Sequence, residues 1–92
     1  MSDLKQFTEE EARQIGTSIG IDWQKIDLGQ FRMGLHVELE HGDQDPETNV
    51  IDGDEYKAGK IAWAHLKEIR DYYTRLIAME KEAEDFWASQ SS

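Results

Sequence analysis

The sequence predicts an all-α fold, organised as a small single-domain bundle of three to four helices. Apolar residues recur every three or four positions through most of the chain, and no stretch shows the alternation typical of a strand. The breaks in this pattern carry helix-capping residues and glycines. A chain of 92 residues suits one domain with a small core. We therefore expect one domain over residues 1–92, ordered from about 7 to 87, with a frayed tail at 88–92.

The first helix is predicted over about residues 9–19 by a capping signal at its start. Thr8, followed three positions later by Glu11, forms a capping box in which each side chain binds the other residue's backbone N–H. Apolar residues follow at helical spacing, and Gly20 then suits the left-handed conformation that ends many helices.

A second helix is predicted from Asp27, which can cap its start, to Gly42, which we expect to end it. Its core face is an apolar stripe with the spacing of a helix. The stripe consists of Leu28, Phe31, Leu35 and Leu39. Gly34 lies on the flank of this stripe, one turn before Glu38, and its missing side chain leaves room there for a neighbouring group.

A long acidic loop is predicted between the second and third helices, over residues 42–54. An Asp-Pro pair within it is typical of a turn, and the loop is long for a compact domain. The segment 38–55 contains eight acidic residues and no lysine or arginine. They are Glu38, Glu40, Asp43, Asp45, Glu47, Asp52, Asp54 and Glu55. The loop is a poor EF-hand because Thr48 stands where that motif has glycine, which leaves at most weak binding of a divalent cation.

The third helix is predicted to start near Asp54 or Glu55. Its apolar pattern continues as far as Trp87, but a single helix of that length would measure about 50 Å, too long for this domain. We therefore expect a break near Arg70 and Asp71, with Asp71 capping a fourth helix.

Two short motifs each pair a carboxylate with an imidazole. Glu38 and His41 lie one turn apart in the second helix, and His65 and Glu68 lie one turn apart, in reverse order, in the third. If these helices pack antiparallel, the four side chains are expected to converge. One interpretation is a buried polar network without metal, which we favour because buried ionisable groups are usually paired with one another. The other is a mononuclear site for zinc, iron or manganese.

For three further side chains we favour an interpretation without a binding role. His36 lies on the opposite side of the second helix from the proposed cluster and is expected to be exposed. Tyr56 and Trp63 lie away from the main stripe of the third helix, and we expect them to pack against a neighbouring helix. An aromatic patch for a partner is the alternative.

The charge balance narrows the classes of partner. The chain has 20 acidic and 10 basic residues, a formal net charge of −10. This argues against direct binding to nucleic acid or anionic lipid and favours a basic protein surface. The chain has no cysteine, no long apolar run after a basic start and no apolar stretch of roughly 20 residues. We therefore expect a cytoplasmic protein without a signal peptide or a membrane span. No nucleophile elbow, phosphate loop or dinucleotide motif indicates an enzyme.

Four segments carry a family resemblance: FRMGLHVELEHG at 31–42, DPETNV at 45–50, GKIAWAHLKE at 59–68 and DYYTRL at 71–76. In this order they resemble a family of small bacterial and phage proteins of unknown function, over about residues 7–80. The resemblance implies no established activity, so it assigns no catalytic residue and no cofactor.

Three functional hypotheses follow. The first is a non-enzymatic helical module whose cluster of Glu38, His41, His65 and Glu68 organises the core, with or without one divalent metal ion. The second is an acidic interaction module that docks a basic partner through residues 38–55, for example an inhibitor that imitates the charge of nucleic acid. An enzyme using His65 and Glu68 as acid and base is a weaker third hypothesis.

Overall fold

The structure is a computed structural model that describes residues 6–90. Within these residues it contains four helices: α1 (Glu9–Ile19), α2 (Leu28–Gln44), α3 (Glu55–Glu68) and α4 (Tyr72–Gln90). No strand occurs in this part of the chain, so the predicted all-α class is confirmed. The break between α3 and α4 is confirmed as well, because Ile69 leaves the helix with extended backbone angles (φ −136°, ψ 113°).

Capping side chains start the first three helices, as predicted for Thr8 and Asp27. Thr8 Oγ1 accepts a hydrogen bond from the Glu11 backbone N–H at 3.1 Å, and Glu11 Oε1 accepts one from the Thr8 N–H at 2.9 Å. Asp27 and Asp54 each accept a hydrogen bond from a backbone N–H in the first turn of the helix that follows. Gly20 ends α1 in the left-handed conformation, with φ 105°. The side chains of Thr8, Asp27 and Asp54, and the backbone of Gly20, thus satisfy groups that a helix end leaves unpaired.

The start of α4 differs from the prediction. The Asp71 carboxylate accepts a hydrogen bond from Arg75 Nε at 2.8 Å, and the Asp71 carbonyl accepts the Arg75 backbone N–H at 3.2 Å. The side chain therefore forms an exposed ion pair along the helix, where the sequence predicted that it would cap the backbone.

Helices α1 and α2 form an antiparallel pair. Phe7, just before α1, stacks on His36 in the middle of α2, while Trp23, just after α1, packs edge-on against Phe31 near the start of α2. The start of one helix therefore faces the later part of the other.

Helix α3 runs in the direction of α1, and α4 runs in the direction of α2. Phe7 and Tyr56 line one hollow at the starts of α1 and α3, and Gly20 lines a cleft with the end of α3. Gln30 binds Thr74 near the starts of α2 and α4, and farther along α2 a histidine faces α4. The described chain is thus an up-down-up-down bundle in which α2 and α3 are antiparallel.

The prediction that Gly42 ends α2 is wrong, because α2 continues to Gln44. A Cβ atom on Gly42 would lie 3.2 Å from both Asn49 Oδ1 and Ile51 Cβ. The glycine therefore permits the connection between α2 and α3 to pack closely on the helix, with Ile51 buried against it. The connection covers residues 45–54 and is shorter than the sequence predicted.

The core is built from apolar side chains of all four helices and of the segments before and between them. Its buried members are Phe7, Ala12, Ile15, Ile21, Ile26, Phe31, Leu35, Leu39, Ile51, Ala58, Ala62, Leu66 and Tyr73. Among the described residues of α4, Tyr73 is the one that is buried. Helix α4 continues through residues 88–90, which were expected to fray, and residues 91 and 92 lie outside the described part. Within residues 6–90, none of the helices combines the length and apolar character that crossing a lipid bilayer requires.

Candidate functional site

Glu38, on α2, is a charged residue buried at the centre of the predicted cluster, with 8% of its surface exposed. Its Oε2 accepts a hydrogen bond from the Tyr73 hydroxyl at 2.8 Å. Burial of Tyr73, together with its bond to this carboxylate, raises the pKa of the tyrosine above its usual value. The hydroxyl therefore keeps its proton and donates a hydrogen bond to the buried carboxylate.

One feature of the sequence indicated this contact. Gly34 was expected to leave room beside Glu38 for a neighbouring group, and that group is the ring of Tyr73. A Cβ atom on Gly34 would lie 2.6 Å from Tyr73 Cε2 and 2.8 Å from Ala62 Cβ. The identity of the neighbour was missed, because a helical pattern that runs across a break does not fix which α4 residue faces α2.

His65, on α3, is the second member of the predicted cluster beside Glu38. Its Nε2 lies 3.7 Å from Glu38 Oε2, an ion-pair distance when the imidazole is protonated. The imidazole stacks on the Tyr72 ring at 4.2 Å with an interplanar angle of 3°, and Tyr73 contacts it edge-on. Since 38% of the His65 side chain is exposed, one side of the cluster is open to solvent.

The other two predicted members lie elsewhere. His41 Nε2 lies 3.7 Å from Glu80 Oε2 on α4, and Glu68 is exposed at the end of α3. Because α2 and α3 are antiparallel, the three-residue step from Glu38 to His41 moves about 4.5 Å one way, and the step from His65 to Glu68 moves the same distance the other way. The structure therefore brings Glu38 and His65 together and separates His41 from Glu68.

This placement bears on the metal hypothesis. Within residues 6–90, no group of three or more His, Asp or Glu side chains is gathered in a way that could hold a metal ion. A site using Glu38, His41, His65 and Glu68 would require two of these side chains to move. Metal binding here stays a prediction.

His36 differs from the expected exposed histidine. Its Nε2 accepts a hydrogen bond from the Phe7 backbone N–H at 2.8 Å, and the two rings stack at 5.5 Å. Burial, and secondarily the nearby Arg32 guanidinium, lower the pKa of His36 below its usual value. The neutral imidazole therefore anchors the segment before α1 to α2. Sequence reasoning missed this role because the segment before a helix carries no periodic signal.

The second half of α4 exposes an apolar surface. Met79 is 54% exposed, Phe86 53% and Trp87 65%. The Phe86 and Trp87 rings contact each other edge-on at 5.0 Å, and with Met79 and Ala83 they line a shallow hollow of about 260 Å³. We call these four residues the α4 apolar face. Clustered exposed aromatic and methionine side chains are typical of protein interaction sites.

Acidic side chains surround this face. Glu82 lines the same hollow, and a second hollow of about 230 Å³ between α2 and α4 is lined by Glu40, Glu80 and Glu84. The basic residue within this stretch, Lys81, is paired with Asp85 at 3.2 Å. The surroundings of the α4 apolar face are therefore negatively charged.

The acidic segment 38–55 is divided between α2, the connection that follows it and the start of α3. Its first part belongs to α2, where Glu38 is buried and Glu40 faces α4. Its last part includes Asp54, which caps α3. Some acids of this segment therefore have structural roles, and Glu40 contributes to the acidic surface beside α4.

Comparison with known proteins identifies the family of the chain. A family model described as "Protein of unknown function (DUF5661)" matches residues 12–82. The chain belongs to this family. Searches of curated proteins and of solved structures gave no match. The predicted resemblance to a family of unknown function is thus confirmed.

The match divides the features of this DUF5661 protein into two groups. Glu38, His65 and Tyr73 lie within the matched residues, whereas Phe86 and Trp87 lie beyond the last of them. Glu38, His65 and Tyr73 therefore lie in the part of the chain that the family model matches, and the aromatic pair of the α4 apolar face does not.

Proposed function

We propose that this chain is a non-enzymatic protein-interaction module that binds a basic amphipathic helix of a partner protein. The proposal rests on one observation: the α4 apolar face exposes Phe86 and Trp87 on a helix bordered by acidic side chains. Large aromatic side chains at a surface provide most of the binding energy in many interfaces. The acidic border then favours a partner with lysine or arginine around its own apolar stripe.

Charge complementarity also argues against a second copy of this chain as the occupant. The chain carries a net charge of −10, so two copies brought together at this surface would repel each other. A basic helix would instead lose its charge repulsion on binding, with Glu80, Glu82 and Glu84 close to its basic side chains.

The proposal modifies the hypothesis based on residues 38–55. In that hypothesis, the whole acidic segment docks the basic partner. The structure supports a smaller contribution from it, through Glu40, and adds the acids and apolar residues of α4. An inhibitor that imitates nucleic acid needs regularly placed charges, whereas this surface combines charge with exposed apolar area.

The test is fluorescence anisotropy with a labelled model peptide of about 18 residues, or five helical turns, with Leu and Lys at amphipathic spacing. We expect binding that weakens as salt rises. A peptide of the same composition with a scrambled order controls for charge alone, and a Leu/Glu peptide controls for apolar contact alone. Equal binding of the ordered and scrambled peptides would contradict the proposal.

Paired variants locate the site. Phe86→Ala combined with Trp87→Ala should weaken peptide binding by about ten-fold or more, as expected for interface hot spots. Val50→Ala removes apolar surface from a residue that is 71% exposed in the α2–α3 connection, so it is the control and should bind normally. Similar losses in both variants, or a stable dimer in light scattering that excludes the peptide, would refute the proposed site.

We infer that Glu38, His65 and Tyr73 have a structural role as a polar network. In the described residues, every buried side-chain nitrogen or oxygen has a hydrogen-bond partner. None of these atoms therefore requires a metal ion or a ligand as its partner. The mononuclear metal site at Glu38, His41, His65 and Glu68 is the rival proposal, and chelation distinguishes the two.

A further inference from the structure

A cleft beside α1 and α3 collects basic side chains in a chain that is otherwise acidic. Its volume is about 560 Å³, within the range of small-molecule sites. Lys25, Lys67 and Arg70 line it, which is three of the 10 basic residues in a chain of net charge −10. Asp22 is the acidic residue in the lining. The cleft is therefore a local basic site on an acidic protein.

The three basic residues come from separate parts of the chain. Lys25 follows α1, Lys67 lies in the last turn of α3, and Arg70 lies in the turn between α3 and α4. The negative end of the α3 dipole accounts for basic residues at that helix end, but it does not account for Lys25. Among the residues that the structure describes, neither Lys25 nor Arg70 forms an ion pair. Both charges are therefore available to a ligand.

The rest of the lining is aromatic and apolar. The Trp63 indole forms one wall, with Lys67 Nζ 4.6 Å from its ring centroid. Ile26 and Leu66, both buried, contribute apolar surface. An indole beside an apolar floor suits a flat ring, because stacked aromatic rings attract each other. The lysine and arginine side chains can also contact the face of such a ring.

We propose that this cleft binds a small organic anion with a planar ring. The ring packs against Trp63 and the apolar floor, and the charged group lies among Lys25, Lys67 and Arg70. The recognised chemistry is a ring that carries a phosphate or a carboxylate, since both groups accept hydrogen bonds from lysine and arginine. The site is on a different face from the α4 apolar face, so it does not depend on the proposed partner helix.

The test is an NMR titration of the full ¹⁵N-labelled chain with four probes. AMP and indole-3-acetate carry both a ring and an anionic group, adenosine carries the ring alone, and inorganic phosphate carries the charge alone. We expect AMP or indole-3-acetate to shift the backbone amides of Gly20 and Lys67 and the Trp63 indole N–H. The two half-probes should bind at least about ten-fold more weakly, because each lacks one set of contacts. The proposal is overturned if none of the probes shifts these signals, or if a half-probe binds as well as the complete anion.

Charge-matched variants test the basic side chains. Lys67→Gln with Arg70→Gln should weaken binding by about ten-fold or more, whereas Lys57→Gln with Lys60→Gln removes the same charge from exposed α3 residues outside the cleft and should have little effect. Lys25→Gln is separate from the α3 helix end and should also weaken binding. The spectrum of each free variant verifies its fold. Equal losses in the two double variants, or unchanged binding of Lys25→Gln, would overturn the proposal.

Discussion

The hydroxyl of Tyr73, on α4, donates a hydrogen bond of 2.8 Å to the buried Glu38 carboxylate on α2. This contact joins two helices at the one buried residue of α4 within the described chain. A buried carboxylate without a donor is costly because burial removes its hydration. The bond therefore both satisfies the carboxylate and fixes how α4 lies on α2.

Removal of that hydroxyl is expected to destabilise the fold. Tyr73→Phe keeps the ring but leaves Glu38 Oε2 without its donor, so we expect a loss of about 2 kcal/mol in the free energy of unfolding. Urea denaturation measures it. Tyr72→Phe makes the same chemical change on the neighbouring residue, which stacks on His65 through its ring, and should change stability by less than about 0.5 kcal/mol. Equal effects of the two variants would show that the Tyr73 hydroxyl has no special role.

Gly34 is expected to be the least replaceable glycine of α2. In an ordinary helix, a change from glycine to alanine stabilises by roughly 1 kcal/mol. In Gly34→Ala, however, the new methyl group would lie 2.6 Å from Tyr73 Cε2 and 2.8 Å from Ala62 Cβ, so α4 or α3 must shift. We expect a net loss of about 1–3 kcal/mol in the thermal or urea unfolding free energy. A variant as stable as the original would mean that the helices have room to separate.

The helices themselves could be predicted from the sequence because their signals are local. The Thr8–Glu11 capping box and the left-handed Gly20 involve residues only a few positions apart, and both are confirmed. Gly42 misled the prediction, since glycine serves either a left-handed helix end or a close approach, and the sequence does not say which. The close approach depends on Asn49 and Ile51, whose position is set by the fold of the connection.

The candidate site could be predicted only in part, for a geometric reason. The expectation that the two motifs converge if their helices pack antiparallel placed Glu38 and His65 near each other, as they are in the structure. It did not show that antiparallel helices carry His41 and Glu68 away in opposite directions. Nor did it show that α4 supplies Tyr73 to Glu38 and Glu80 to His41, because side chains on a separate helix leave no trace in the local pattern.

Chelation is expected to leave the fold unchanged. Within residues 6–90 no group of three or more potential ligands is gathered, so a polar network requires no ion for stability. Protein purified without an affinity tag should therefore melt at the same temperature with and without EDTA, and added Zn²⁺ should not raise it as a tightly bound ligand would. Metal analysis gives the stoichiometry. One equivalent of bound metal with a lower melting temperature in EDTA would instead support the mononuclear site, and loss of both effects in His41→Ala would assign it.

Stability is expected to decrease in mild acid through His36. The pKa of His36 is lowered in the fold, chiefly by burial, from its ordinary value of 6.5. As the pH falls below that value, the unfolded chain binds a proton before the folded chain does, so the free energy of unfolding falls through the window between the folded pKa and 6.5. Above the window both states are neutral and the stability is complete. Protonation also removes the lone pair that accepts the Phe7 N–H.

Urea denaturation from about pH 8 to pH 5 measures this slope. His36→Gln, whose amide oxygen can still accept a hydrogen bond, should flatten the slope near the top of the window. If the His36→Gln profile matches that of the original chain, another group causes the loss.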